Sequence, residues 1–95
     1  MIINKTNNRE IASSFYLADN PLKRMKGLLG RKSLDKGKAM VIRPCSGIHT
    51  FFMRFPIDVL FIDKESKVIK TLCDVKPFAI SPILAAAKIV IELPA

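Results

Sequence analysis

Residues 57–62, Ile-Asp-Val-Leu-Phe-Ile, are apolar at both parities of the chain, with Asp58 as the one interruption. A strand with one face in water alternates apolar and polar side chains. One that is apolar on both faces belongs inside a sheet, with neighbours on either side. The run closes on Asp63-Lys64-Glu65-Ser66, a turn composition, and the chain returns as a second extended run over 67–75. A β-hairpin is therefore predicted there, and the rest of the chain must supply its partners.

The remaining segments read in the same terms. Ile2 and Ile3 make a short first strand, Asn7-Asn8 a turn, and 10–17 a half-buried strand with Ile11, Ser13, Phe15 and Leu17 on one face. Asn20-Pro21 is a helix start, with Asn as N-cap and Pro at the first helical position. Leu22, Met25, Leu28 and Leu29 then form an apolar stripe, and Gly30 is placed to end the helix. Gly27 inside that span signals either close approach of another backbone or an earlier end. Residues 39–42 read as a strand stopped by Pro44, 48–55 as a strand broken by Pro56, and 88–93 as a last strand after a loop or one helical turn at 81–87. The prediction is a mainly β chain, α+β at the margin. It forms a compact β-sandwich or barrel-like domain of six to seven short strands with one helix at about 21–29.

A chain of 95 residues makes a single domain over 1–95. Its 49% hydrophobic and 25% charged content excludes wholesale disorder. No apolar run approaches the ~20 residues of a transmembrane helix, and the N-terminus lacks a signal-peptide pattern. A soluble, cytoplasmic protein is expected. The net charge of +8 concentrates in 21–43, where Asp35 is the lone acid among eight Lys and Arg residues. Such a segment attracts anions, nucleic acid included, but its position at the C-terminal end of the helix also suits the helix dipole. Stacking residues for single-stranded nucleic acid are few.

Phosphate-binding glycine loops, Cys-x-x-Cys and His-Glu-x-x-His are absent from the sequence, and neither a cofactor nor a metal site is expected. Cys45 and His49, four apart across a turn, are too few for a structural zinc site. They could instead pair as a thiolate and its base, which makes Cys45 the candidate reactive thiol. Cys73, on one strand face with Ile69 and Val75, reads as an inert core thiol. Asp58 shares its face with Leu60 and Ile62, which should be buried. A buried carboxylate needs a charge partner or several hydrogen bonds, and Arg24, Arg31 and Arg54 are the candidate partners. The alternatives are a structural tie between helix and sheet, or a ligand site.

Five blocks, Arg24-Met25-Lys26-Gly27-Leu28-Leu29, Ala39-Met40-Val41-Ile42, Ile48-His49-Thr50-Phe51-Phe52-Met53, Pro56 to Asp63 and Ile91-Glu92-Leu93-Pro94-Ala95, resemble in order the domain-of-unknown-function family 192 (DUF192) of small bacterial and archaeal proteins. The resemblance implies a mainly β sandwich or barrel-like domain with a short early helix. It implies no activity. It singles out Arg24, Gly27, His49, Met53 and Asp58 as motif positions. Chains of that family usually run on past Glu-Leu-Pro-Ala, and this one stops at Ala95, so residues 88–93 are expected to form an open edge for a homodimer. The leading functional expectation is a non-enzymatic binding module. It would hold a small polar or anionic ligand, or a protein segment, near His49, Arg54, Asp58, Arg24 and Arg31. The alternatives are a hydrolase or transferase using Cys45, or His49 with Asp58, and a nucleic-acid binder using 21–43.

Overall fold

A computed structural model describes residues 2–4, 6, 8–28, 31–51 and 53–95. The elements in chain order are β1 (Ile2–Asn4), β2 (Arg9–Ala12), β3 (Ser14–Ala18), α1 (Pro21–Lys26), β4 (Lys38–Ile42), β5 (Ile57–Asp63), β6 (Val68–Val75) and β7 (Ala87–Pro94). β1 and β2 form a small antiparallel hairpin, and the other five strands form one mixed sheet in the order β3-β4-β7-β5-β6. β3 and β6 remain as free edges, so the sheet is open and not a closed barrel.

The doubly apolar 57–62 run is an inner strand, paired with β6 on one side and β7 on the other. Its alternate residues feed two cores. Ile57, Val59 and Phe61 join Met40, Ile42 and Val90 under Leu28, Leu34 and Met53, while Leu60 and Ile62 join Ala39 and Ile91 beneath Ile2 and Ala12 of the hairpin. The helix and the long loops therefore cover one face of the sheet, and β1–β2 covers the other.

The single strand expected over 10–17 is two. Ser13 breaks it, because the N–H groups of Ser13 and Ser14 both donate to the Gly37 carbonyl, at 2.7 and 3.2 Å. The chain passes there from the hairpin to the main sheet. β3 then runs parallel to β4, and a parallel pair needs a crossover, which is where α1 sits. Asn20 caps the helix by accepting the Lys23 N–H at 2.9 Å. The helix is shorter than the stripe suggests. Gly27, at φ 46° and ψ −122°, donates its N–H to the Lys23 carbonyl at 2.8 Å and turns the chain away. Of the two readings of Gly27, the early end is the observed one. Leu29, the expected stop at Gly30, Asn7 and Phe52 lie outside the described residues.

Two further expectations change. Residues 48–51 and 53–55 are not a strand. Among the described residues they form a loop with one bridge, His49 to Ile80, because Thr50 and Met53 close a local turn and the neighbouring backbone bonds go to 78–81. And β7 is no edge: it pairs with β4 and β5 together, which removes the surface on which dimerisation through 88–93 depended. Among the described residues no helix is long and apolar enough to cross a membrane.

Candidate functional site

The loop 43–50 is held over the helix side of the sheet by backbone bonds to the 78–88 stretch. Cys45 N–H donates to Lys88 O at 2.9 Å, Leu84 N–H to Ser46 O at 2.9 Å, Ser81 N–H to Ile48 O at 2.9 Å and Thr50 N–H to Ala79 O at 2.8 Å. The buried Ser81 hydroxyl accepts the Ile48 N–H at 2.8 Å. From the other side, the Arg24 guanidinium of α1 donates to the Pro44 carbonyl at 3.0 Å. Between helix, loop and sheet these ties leave a cleft of about 290 Å³, lined by Gly27, Leu28, Ile42, Ile48 and Met53, with Arg24, Cys45, His49 and Glu92 as its ionisable groups. It continues past Cys45 and His49 into a broader hollow of about 650 Å³ bounded by Phe51, Ile80, Ile83 and Lys88.

Glu92 is the unexpected member. It lies on β7 opposite Met40 on one side and Val59 on the other, both core residues. It is 3% exposed and no hydrogen bond or ion pair reaches its carboxylate among the described residues. Burial alone pushes its pKa up from 4.5 to about 7. An ionised carboxylate in an apolar setting without a partner is costly, so the group keeps its proton to higher pH. The signal was present in the sequence. Past Lys88, β7 is apolar at both parities, and Glu92 interrupts it as Asp58 interrupts β5.

Cys45 is half-buried, and its thiol donates to the Gly47 carbonyl at 3.2 Å. Burial pushes its pKa up, the nearby Glu92 adds to that, and Arg24 opposes it. His49 is exposed at the rim, where its Nδ1 accepts the Phe51 N–H at 3.3 Å and its ring stacks on Phe51 at 5.1 Å. Cys45 and His49 therefore share a cleft without a hydrogen bond between them among the described residues, and neither has the contact that activates a nucleophile.

Of the residues singled out from the sequence, Arg24 and His49 meet here. Asp58 does not. It faces the hairpin side of the sheet, and its carboxylate accepts the Asp74 N–H at 2.8 Å; no arginine pairs with it among the described residues. Arg31 stacks over Tyr16 at 4.2 Å, with Lys38 at 4.9 Å from the same ring. Arg54 is exposed on the 54–55 bend, away from the cleft lining. Cys73 is exposed and not a core thiol, on β6, beyond which no further strand pairs among the described residues. Among the described residues no group of three His, Cys, Asp or Glu is placed to hold a metal ion.

Residues 2–95 match the family model DUF192, described as "Uncharacterized ACR". A UPF0127 protein of Pyrococcus horikoshii is 33% identical over 97 residues, covering 99% of this chain and 84% of that protein. A UPF0127 protein of Thermococcus kodakarensis is 36% identical over 73 residues, and the match takes in 73% of this chain but 46% of that longer relative. A crystal structure of a protein of unknown function from Novosphingobium aromaticivorans superposes with a TM-score of 0.82 at 20% identity, covering 95% of this chain and 68% of that one. This last likeness is one of fold.

Proposed function

The chain belongs to the DUF192 family of uncharacterised proteins, and from that premise we propose that it is a small binding module whose cleft beside Glu92 takes a small polar ligand. One observation carries the reading. Glu92 is 3% exposed and lines the cleft, and among the described residues no side chain or backbone group bonds its carboxylate, so what reaches it is what enters the cleft. A ligand with a donor group supplies that bond. Arg24 and His49, at the rim, remain from the sequence-based set as groups that would meet an anionic part of the ligand. Arg31, Arg54 and Asp58 stand elsewhere and have no role in it.

The geometry favours binding over catalysis. The Cys45 thiol is held protonated by burial, and His49 uses Nδ1 on the Phe51 amide. The basic 21–43 stretch gives less support to nucleic-acid binding, because Arg31 and Lys38 flank Tyr16. The test is a fragment screen by thermal shift and ligand-observed NMR, repeated on Glu92→Gln and His49→Ala. Hits that lose at least tenfold in affinity in Glu92→Gln support the site. A screen whose hits are indifferent to both substitutions overturns it.

A further inference from the structure

The charges around the cleft are layered. Among the described residues Glu92 is its one acidic group, and it sits at the closed end. Arg24 is exposed at the mouth, and Lys88 stands farther out, on the wall of the wider hollow. The same hollow presents Ile80 and Ile83, 71% and 80% exposed, beside Phe51. A simple anion would meet Arg24 first but gain nothing from the carboxylate below it. A simple amine would satisfy Glu92 but has to pass two cations. A molecule with a donor cation in front, an anion close behind it and an apolar branch satisfies all three layers.

Building on the binding reading above, we infer that the cleft takes a free α-amino acid with an apolar side chain. Its ammonium group would donate to the Glu92 carboxylate, its carboxylate would face Arg24, and its side chain would lie toward Phe51, Ile80 and Ile83. The surroundings make the ammonium contact strong. Leu28, Ile42 and Met53 exclude water on the sides, and a charge pair in such a setting is screened far less than one at the surface. Arg24 suits the outer end. One of its N–H groups holds the Pro44 carbonyl, and among the described residues no other group takes up the rest of its planar fork. The cleft of about 290 Å³, at the small end of ligand sites, takes the two charged ends, and the apolar side chain extends into the adjoining hollow.

The experiment is a calorimetric and thermal-shift titration at pH 8 with leucine, methionine and phenylalanine. Each is compared with its desamino acid, its N-acetyl derivative and its decarboxylated amine, and leucine also with the dipeptide Leu-Gly. The expected result is binding of the free amino acids, weakened at least tenfold by loss of either charged end. Glu92→Gln, which keeps the side-chain shape, removes the preference for the amino acid over the desamino acid. Arg24→Gln, at an exposed position, removes the preference over the amine. If desamino acids bind as tightly as amino acids and ignore Glu92→Gln, the ammonium contact is wrong while the cleft remains a binding site. If Leu-Gly binds as tightly as leucine or tighter, the ligand is a peptide terminus and the free amino acid falls. If the fragment screen finds Glu92-dependent hits but no amino acid binds, this inference alone falls. If neither binds, both readings fall.

Discussion

Asp58 and Glu92 stand one register step apart on adjacent strands, yet their carboxylates face opposite sides of the sheet. Glu92 pairs across from Val59, the residue next to Asp58, and looks into the cleft under α1. Asp58 looks toward the hairpin layer and holds the Asp74 N–H at 2.8 Å. The alternation of side chains along a strand puts neighbours on opposite faces, so the two acids serve different purposes at almost the same point in the sheet.

Asp58 supports β6. Between Ile57 and Val59 the β5–β6 register slips, and Cys73 and Asp74 together oppose Asp58. Asp74 takes a left-handed backbone at φ 54°, an uncommon state for a non-glycine residue. The Asp58 carboxylate fixes the amide that this bulge frees from the ladder. Asp58→Ala is therefore expected to cost about 1 kcal/mol of stability, less than the ~1.5–3 kcal/mol of a bond to a charged acceptor because water can reach the site. Urea denaturation measures this. Binding of cleft ligands should be unchanged, and a variant that loses them with its stability intact would move Asp58 into the site.

Glu92 sets a pH dependence. Its pKa is 4.5 ordinarily and about 7 in the fold, so the folded state holds the proton more tightly than the unfolded chain. The group's contribution is then fully present below about 4.5, declines as pH rises toward about 7, and is gone above it. The loss is on the order of 3 kcal/mol at one and a third kcal/mol per pKa unit. Glu92→Gln should be flatter across pH 5–8 than the parent and more stable at pH 8, as read from chemical denaturation at a series of pH values. Parallel curves for the two proteins would contradict a buried, unpartnered carboxylate.

The cysteines should label in the reverse of the order that their sequence neighbours suggest. Cys73 is exposed, while Cys45 is half-buried with its thiol pKa raised, and the thiolate is the form that reacts. Mass spectrometry after iodoacetamide at pH 7.5 should find Cys73 modified first and Cys45 several-fold more slowly. Because the Glu92 charge contributes to holding Cys45 protonated, Glu92→Gln should speed Cys45 and leave Cys73 alone. An equal rate for Cys45 in both proteins would separate the two groups.

The sheet was legible wherever burial leaves a mark on the sequence. The doubly apolar 57–62 run, its return over 67–75 and the Asn20-Pro21 start all stand where the pattern puts them, because each depends on contacts a few residues apart or on a face that must be dry. Residues 48–55 look like a strand, but Thr50 spends its bonds on the 76–79 loop, a partner that period-two alternation cannot reveal. Residues 88–93 are expected to be an edge because the sequence stops at Ala95 where related chains run on, but β7 inserts between β4 and β5. The same insertion hid the site. Glu92 drew no attention on a strand expected to be an edge and is a buried carboxylate because that strand is central. Asp58 drew the attention and lies on the other face.

Thr50 is the residue on which the cleft's outer wall depends. It is fully buried, at 0% exposure. Its hydroxyl donates to the Lys76 carbonyl at 2.6 Å and accepts the Ala79 N–H at 2.8 Å. Its own backbone takes the Phe78 N–H at 2.9 Å and donates to the Ala79 carbonyl at 2.8 Å. One side chain thus organises the turn that places Ile80 opposite His49. Thr50→Val keeps the shape but removes the hydroxyl, leaving the part-buried Ala79 amide and the Lys76 carbonyl without their partner. An unsatisfied buried group costs about 1–3 kcal/mol, and with water able to reach Lys76 a loss of about 1 kcal/mol, at the low end, is expected, against well under 1 kcal/mol for Thr50→Ser, which keeps both bonds. The more specific consequence is local. Amide exchange should quicken at Ala79 and Ser81 in Thr50→Val while the β5 and β7 amides keep their protection, since the sheet is hydrogen-bonded independently of this turn. Uniform loss of protection across β5 and β7 would instead make the turn part of the cooperative core, and the cleft wall could no longer be treated as a separate, adjustable segment.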